Sequence, residues 1–264
     1  MRKRRWITFD LDGTLMQNPF GGWVFPEIAA AVAGWLGRPH DVVAELVGEH
    51  ERRLRQGRYV EAYDWDGMLS ELLERLGVRE SVEIASIVQK HAVPPKIRLL
   101  EAEVPAVLAA LQAKGYALAA VTNGYYKYQE PVMKALGLAE YFAAVVTPER
   151  AGAGKPDPAI LRSFGGEVVA HVGDRLDHDV QLANRCGVFS VFVCRDLPEE
   201  LRAVDPRLRS RHDLMNQLCL EKWKRESGGQ TEGQGAALLP AELSPQAVIG
   251  TIGELPPLVD GLCR

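Results

Sequence analysis

Four short stretches carry carboxylates, a hydroxyl and an ammonium at positions from which they could act together: DLDGT (Asp10 to Thr14), TNG (Thr122 to Gly124), GAGKPDP around Lys155, and GDRLDHD with Asp174 and Asp179. The first is the most demanding. An apolar run ends at Asp10, and Asp12 follows two residues later, backed at once by Gly13 and Thr14. Two adjacent carboxylates repel, and withdrawing them from water costs several kcal/mol per ion unless something compensates. Asp174 and Asp179 add to the same charge. A hard divalent cation resolves it, because Mg²⁺ prefers one or two carboxylates, waters and a phosphate oxygen. Lys155 adds a positive charge able to hold a nucleophilic carboxylate and a phosphate together. Thr122 offers a hydroxyl, Asn123 stands beside it, and backbone N–H groups around the turns can bind phosphoryl oxygens.

Each stretch alone also has a purely structural reading. Asp-x-Asp-Gly and Thr-Asn-Gly are ordinary turn sequences. Lys-Pro-Asp-Pro is an ordinary helix start, with Pro156 near the first helical position. Asp174 and Asp179 suit a helix entry. Their occurrence together, in this order and at one sheet edge, favours a shared site.

The elements that must position these groups are legible in the hydrophobic pattern. From Leu99 onward helix-period and strand-like runs alternate: LEAEVPAVLAALQAKG, ALAAVT, a helix ending near Gly137, AAVVTP, a short helix opening at Pro156, EVVAHVG, a helix from about His178 to Cys186, and VFSVFVC. That alternation predicts right-handed βαβ units and a mostly parallel sheet. Its near-continuous apolar strands are those of a sheet covered by helices on both faces. All four stretches then fall at strand carboxyl ends or helix starts, where ligands bind in such sheets. Between Met16 and about Lys96 the pattern is helical only, with PEIAAAVAGWLG, DVVAELVGEHERRLRQG and DWDGMLSELLERLGV carrying the spacing. The expected fold is α/β, a Rossmann-like parallel sheet core with an inserted α-helical cap. Residues 1–16 and 97–264 form the core and 17–96 the cap.

Residues 199–243 fit neither half and are expected as a flexible insertion, with one helix over His212 to Arg225. The stretch SGGQTEGQGAA (Ser227 to Ala237) has linker composition. QAVI and ELPPLVDGL close the chain as a strand and a helix. With 31 basic and 35 acidic residues the net charge is −4, so no nucleic-acid or anionic-membrane footprint stands out. MRKRR is not followed by an uninterrupted apolar run, and no stretch is long enough to cross a bilayer. The four cysteines lack zinc or redox spacing and read as reduced thiols. A cytoplasmic location is expected, and the sequence says nothing of oligomeric state.

In these motifs the chain resembles the haloacid dehalogenase-like hydrolase superfamily, with all four motifs present across the α/β core. The helical insertion behind the first motif resembles the cap of the phosphoglycolate phosphatase-like branch. AYDWDGMLSELLERLG is similar to a cap helix of that branch and IGELPPLV to its C-terminal end. The resemblance implies a Mg²⁺-dependent phosphatase acting on a small phosphorylated metabolite through an aspartyl-phosphate. Asp10 would be the nucleophile and a metal ligand. Asp12 would be the general acid and then base, with its backbone carbonyl on the metal. Thr122 and Lys155 would bind the phosphoryl group, Asp174 would ligate the metal, and Asp179 would orient metal-bound water or Lys155.

Two alternatives share these residues: a phosphomutase of the same fold, and a non-catalytic phosphate- or metal-binding module. A dehalogenase attacks carbon and needs neither the metal nor Asp12. His178 is expected as a surface or supporting histidine. Phe20, Trp23, Tyr63 and Trp65 could line a pocket for an apolar or ring-bearing substrate but are expected in the packing of the inserted helices, and Tyr125 and Tyr126 are expected to face substrate.

Overall fold

The computed structural model describes residues 4–226 and 239–263. Strand β1 (Arg4–Phe9) is followed by the short strand β2 (Met16–Gln17). Helices α1 (Phe25–Leu36), α2 (Val42–Arg55), α3 (Trp65–Arg75) and α4 (Ile84–His91) come next, and then β3 (Arg98–Leu99). Helices and strands then alternate through α5 (Val104–Ala113), β4 (Ala117–Val121), α6 (Tyr126–Ala135), β5 (Ala144–Val146), α7 (Pro148–Ala151), β6 (Gly166–Gly173), α8 (Gln181–Arg185) and β7 (Phe189–Val193). Three helices, α9 (Glu199–Arg202), α10 (Pro206–Arg209) and α11 (Asp213–Glu226), precede β8 (Ala247–Ile249) and α12 (Leu255–Asp260).

Six strands form one parallel sheet in the order β5-β4-β1-β6-β7-β8. The inner strands carry apolar residues on both faces because helices cover both; all five residues of β4 are buried. β1 lies between β4 and β6, the place where the chain's progression across the sheet reverses. Asp10 extends the β1–β6 ladder by one step, its N–H donating to Val172 O at 2.9 Å. The carboxyl ends of three neighbouring strands therefore deliver Asp10, Thr122 and Asp174 to one crevice, the ligand position of open α/β sheets.

The chain leaves and re-enters this core through an antiparallel ribbon in which Met16 pairs with Leu99 and Gln17 with Arg98. The intervening helices start and stop on local signals. The Asp41 and Asp64 side chains accept from Ala44 N and Gly67 N at the starts of α2 and α3, and Gly37 ends α1 at φ 65°. Their apolar stripes, including Ile28, Val32, Leu46, Leu72 and Val88, join Phe9, Leu11 and Leu15 in one continuous hydrophobic cluster. α4 is a fourth helix beyond the three expected from periodicity.

Two expectations need correction. The turn of helix after Lys155 opens at Pro158 rather than Pro156, with the Asp157 side chain capping it through Ala159 N. The stretch expected as a flexible insertion carries α9, α10 and α11 among its described residues. Leu201, Met215, Cys219 and Leu243 from it form a second core with Leu176, Phe192 and Val248. Met215 and Cys219 are four apart on one face of α11, and Leu214, Leu218, Leu220 and Trp223 pack beside them partly buried. Residues 227–238, with the linker-like Ser227 to Ala237, lie outside the described residues. No helix among the described residues is long and apolar enough to cross a membrane.

Candidate active site

The turn after β1 begins the site. Leu15 N and Met16 N both donate to Leu11 O, at 2.8 and 3.0 Å, folding Asp12–Thr14 into a tight loop. Gly13 sits there at φ 83°, and a Cβ on it would lie 2.6 Å from an Asp174 carboxylate oxygen, so only glycine lets Asp174 approach. Arg195 clasps this loop from the end of β7, donating to Gly13 O at 2.7 Å, Thr14 O at 2.6 Å and Glu101 at 2.8 Å.

Lys155 is buried and stands between two carboxylates, its Nζ 2.6 Å from Asp10 Oδ1 and 2.6 Å from Asp179 Oδ1. Its backbone is fixed by Asn123: Lys155 N donates to Asn123 Oδ1 at 2.7 Å, and Asn123 Nδ2 donates to Lys155 O at 3.0 Å. Asp179 is anchored further by Arg175 N–H on Oδ2 at 3.0 Å and by His171 Nε2 on Oδ1 at 3.0 Å. His171 Nδ1 lies 2.8 Å from the Thr8 hydroxyl. A neutral His171 donates from Nε2 to Asp179, and its Nδ1 shares the single Thr8 hydroxyl proton with Ala170 O, 3.2 Å from that hydroxyl. Burial opposes ionisation of Asp179, yet Lys155 and His171 hold its carboxyl below the usual range.

The Thr14 hydroxyl lies 3.0 Å from Asp174 Oδ1 and 3.4 Å from Asp10 Oδ2, bridging the two. Oxygens of Asp10, Asp174 and Asp179 all lie within 4.8 Å of one another. Burial pushes the Asp10 carboxyl up to about 8 against the pull of Lys155, with Asp179 and Asp174 adding to the rise. Asp174 is raised for the same reasons, burial first and Asp179 second. Such crowding of acids in a place closed to water is what a bound cation relieves, so this cluster fits a divalent ion. Asp179 already spends both oxygens on Lys155, His171 and Arg175 N, which leaves Asp10 and Asp174 as the carboxylates with capacity to spare.

Asp12 is held differently. Its Oδ2 accepts from Gln129 Nε2 at 2.6 Å, and its Oδ1 is buried without a partner. Burial raises its pKa and the Gln129 hydrogen bond opposes the rise. Its carboxylate is not among the oxygens that gather in the Asp10–Asp174–Asp179 cluster, which leaves its backbone carbonyl as the group it could offer an ion there. Thr122 is buried, with its hydroxyl accepting from Gly124 N at 3.2 Å.

All six of the expected groups, Asp10, Asp12, Thr122, Lys155, Asp174 and Asp179, together with Asn123, line one cavity of about 520 Å³ between the sheet edge and the inserted helices. His178 lines it too and is buried rather than on the surface, its pKa pushed down to about 3 by desolvation, then by Arg175. Phe20, Tyr63 and Trp65, expected as cap packing, line the cavity, as do Phe25 and Tyr128. Trp23 does not: it is 44% exposed, with Lys96 over its ring at 4.7 Å. Tyr125 and Tyr126 also fall outside the lining. Tyr125 stacks on Tyr128, and Tyr126 donates to Glu130 at 2.9 Å with Arg150 over its ring. Thr14, Gln129, His171 and Arg195 are the supporting residues that sequence reasoning missed. Thr14 alone had a local signal, since it closes the DLDGT turn.

The sequence pattern of haloacid dehalogenase-like hydrolases matches residues 5–187. A phosphoserine phosphatase of Thermus thermophilus is 32% identical over 239 residues, covering 77% of this chain and 94% of the relative. A phosphoglycolate phosphatase of Shigella dysenteriae is 30% identical over 211 residues, covering 71% of this chain and 80% of the relative. Among solved structures, a 2-haloacid dehalogenase of Pseudomonas syringae pv. Tomato superposes with a TM-score of 0.57 at 23% identity, covering 98% of this chain and 99% of that one. That last likeness is one of fold.

Proposed function

The chain belongs to the haloacid dehalogenase-like hydrolases, and from that premise we propose that it is a Mg²⁺-dependent phosphatase of small phosphate monoesters working through a phosphorylated Asp10. The observation that carries this reading is the unequal treatment of the two carboxylates behind β1. Asp10 is paired with Lys155, whereas Asp12 is held by neutral amides, those of Gln129 and Asn18, with its Oδ1 buried. Two neighbouring acids in different environments suit different tasks, one as nucleophile and one as acid and base.

In the first step an Asp10 oxygen bonds to phosphorus as the ester P–O bond breaks. The leaving oxygen takes that electron pair and a proton from Asp12. In the second, a water oxygen bonds to phosphorus while Asp12 takes its proton, and the bond to Asp10 breaks to release inorganic phosphate. Lys155 offsets charge on Asp10 and on the phosphoryl oxygens, and Asp179 and Asn123 keep Lys155 in place. Thr122 and Asn123 are the substrate-side polar groups. Asp10, Asp174 and the Asp12 carbonyl would hold Mg²⁺, which when bound supplies positive charge to polarise and orient the phosphoryl group.

Residues 17–96 act as a cap over the core formed by residues 1–16 and 97–264, hinged at the β2–β3 ribbon. The substrate is a small phosphorylated metabolite. Free Cys186, Cys194 and Cys219 fit a reducing compartment, and the proposed location is the cytoplasm.

A dehalogenase has no use for an acid in the position of Asp12, and a pure binding module has no use for the separate treatment of Asp10 and Asp12. The test is release of inorganic phosphate from a panel of monoesters by the purified chain with Mg²⁺. Chelator should abolish it and added Mg²⁺ restore it. Turnover indifferent to chelator would overturn the metal assignment, and transfer to a second hydroxyl of the same substrate without net release would turn the reading to a mutase.

A further inference from the structure

The cap side of the cavity is a wall of aromatic rings. Phe20 lies 5.5 Å from Phe25, 6.0 Å from Trp65 and 5.4 Å from Tyr128 between ring centroids, and Phe25 lies 5.1 Å from Trp65. Phe20, Phe25 and Trp65 keep partial exposure, while Val24 and Ile28 beside them in sequence are wholly buried. They pack against the main hydrophobic core, with His50 stacked on Trp65, and also line the cavity. Tyr128 backs this wall: it is almost wholly buried, and its hydroxyl is committed at both ends, donating to Asp66 Oδ2 at 2.9 Å and accepting from Asp66 N at 3.1 Å.

The charges around the cavity lead to the same conclusion. Among the described lining residues, five carboxylates stand against three cations. Each cation already faces an acid: Lys155 faces Asp10 and Asp179, Arg175 is forked onto Asp177 at 2.9 and 2.7 Å, and Lys222 meets Glu226 at 3.1 Å. A leaving group bearing a carboxylate needs a cation able to bind it in a charge-assisted pair. This lining offers none that is uncommitted, and the aromatic wall supplies only the neutral Trp65 indole N–H as a donor, the Tyr128 hydroxyl being spent on Asp66.

We infer that the leaving group of the substrate is uncharged and carries a flat apolar ring, which the Phe20–Phe25–Trp65–Tyr128 wall packs against. This rests on the phosphatase reading and names its substrate class. It also separates this chain from the carboxylated substrates named in the relatives' descriptions. Ring-against-ring packing adds to simple burial, and the preferred arrangements are offset or edge-to-face, as the wall's own rings show.

The test compares 2-phenylethyl phosphate with ethyl phosphate, phosphoglycolate and O-phosphoserine, using the full chain loaded with Mg²⁺. All have alkoxide leaving groups, so the ring, the carboxylate and, in O-phosphoserine, the ammonium beside it are what differ. The phenylethyl ester should show a kcat/KM at least about 10-fold above each of the others, the order of discrimination a hydrophobic pocket supplies. Trp65→Ala and Phe20→Ala should lower that value about 10-fold, mainly through KM, and leave ethyl phosphate within about threefold, whereas Trp65→Phe should largely restore it. A preference for either carboxylated ester, or equal losses on phenylethyl and ethyl phosphate in variants that remain folded, would overturn the inference while leaving the phosphatase reading intact. No release of phosphate from any of the four esters would overturn both.

Discussion

Asn123 and Lys155 hold each other by two reciprocal hydrogen bonds, Lys155 N to Asn123 Oδ1 at 2.7 Å and Asn123 Nδ2 to Lys155 O at 3.0 Å. The strand end that supplies Thr122 thereby sets the position of the ammonium on Asp10. Asn123→Ala removes both bonds and Asn123→Asp removes the donor. Displacements of about 1 Å at such a site cost on the order of 10²-fold. Steady-state kinetics should show kcat lowered about 10- to 100-fold for Asn123→Ala, with Asn123→Asp between it and the unaltered protein. Unchanged kcat in both variants would show that Lys155 is positioned without this clasp.

Gly13 permits the approach of Asp174 and adopts a left-handed backbone. Gly13→Ala adds about 1–2 kcal/mol of backbone strain and drives a methyl into the Asp174 carboxylate. The Mg²⁺ concentration for half-maximal activity should rise about 10-fold or more, together with a lower melting temperature. A variant that loses stability but keeps its Mg²⁺ requirement would separate Asp174 from metal binding.

His178 is kept neutral by burial, with a pKa of about 3 in the folded chain against about 6.5 for an unperturbed histidine. Below pH 6.5 the unfolded chain binds a proton that the folded chain does not, so stability falls as pH drops toward 3. His178→Gln removes this contribution. Denaturant unfolding at pH 7 and pH 5 should show the unaltered protein losing about 2 kcal/mol more than the variant over that interval. An equal loss in both would mean His178 protonates freely in the folded state.

Arg209 binds the start of the 199–243 stretch to the end of the sheet. It is buried and donates to Leu201 O, Arg202 O, Val248 O and both oxygens of Glu254 at 2.7–3.0 Å. Arg209→Met leaves those acceptors unmatched, and Glu254 retains partial access to water. The expected loss of stability is about 2–4 kcal/mol by chemical denaturation. Activity per folded molecule should be unaltered at low temperature. A loss below about 1 kcal/mol would show the segment docks without it.

The parts of the site that were legible in the sequence are those fixed by strand ends. Asp10, Thr122 and Asp174 each follow an apolar run that must be buried, so the alternation of elements alone brings them to one edge. Gln129 was not legible because its partner Asp12 is far away in sequence, and His171 because its reach to Asp179 depends on how the chain folds back after β6. The same holds for Arg195, whose partners at Gly13 and Thr14 are far away in sequence. Tyr125 and Tyr126, directly after Gly124, were expected to face substrate. α6 opens at Tyr126, however, and its turn carries Tyr128 and Gln129 to the inner face. In 199–243 the helix over His212 to Arg225 was legible, whereas α9 and α10, about one turn each, are too short to show a period.

The central claim is that Asp10 carries the phosphoryl group. Rapid acid quench during turnover of a phosphate monoester with Mg²⁺, followed by peptide mass spectrometry, measures this directly. The account predicts a phosphoryl adduct on the peptide containing Asp10, absent in Asp10→Asn together with turnover, and accumulating in Asp12→Asn if its second step is slowed more than its first. Near-normal turnover by Asp10→Asn, or an adduct on a different side chain, would contradict it.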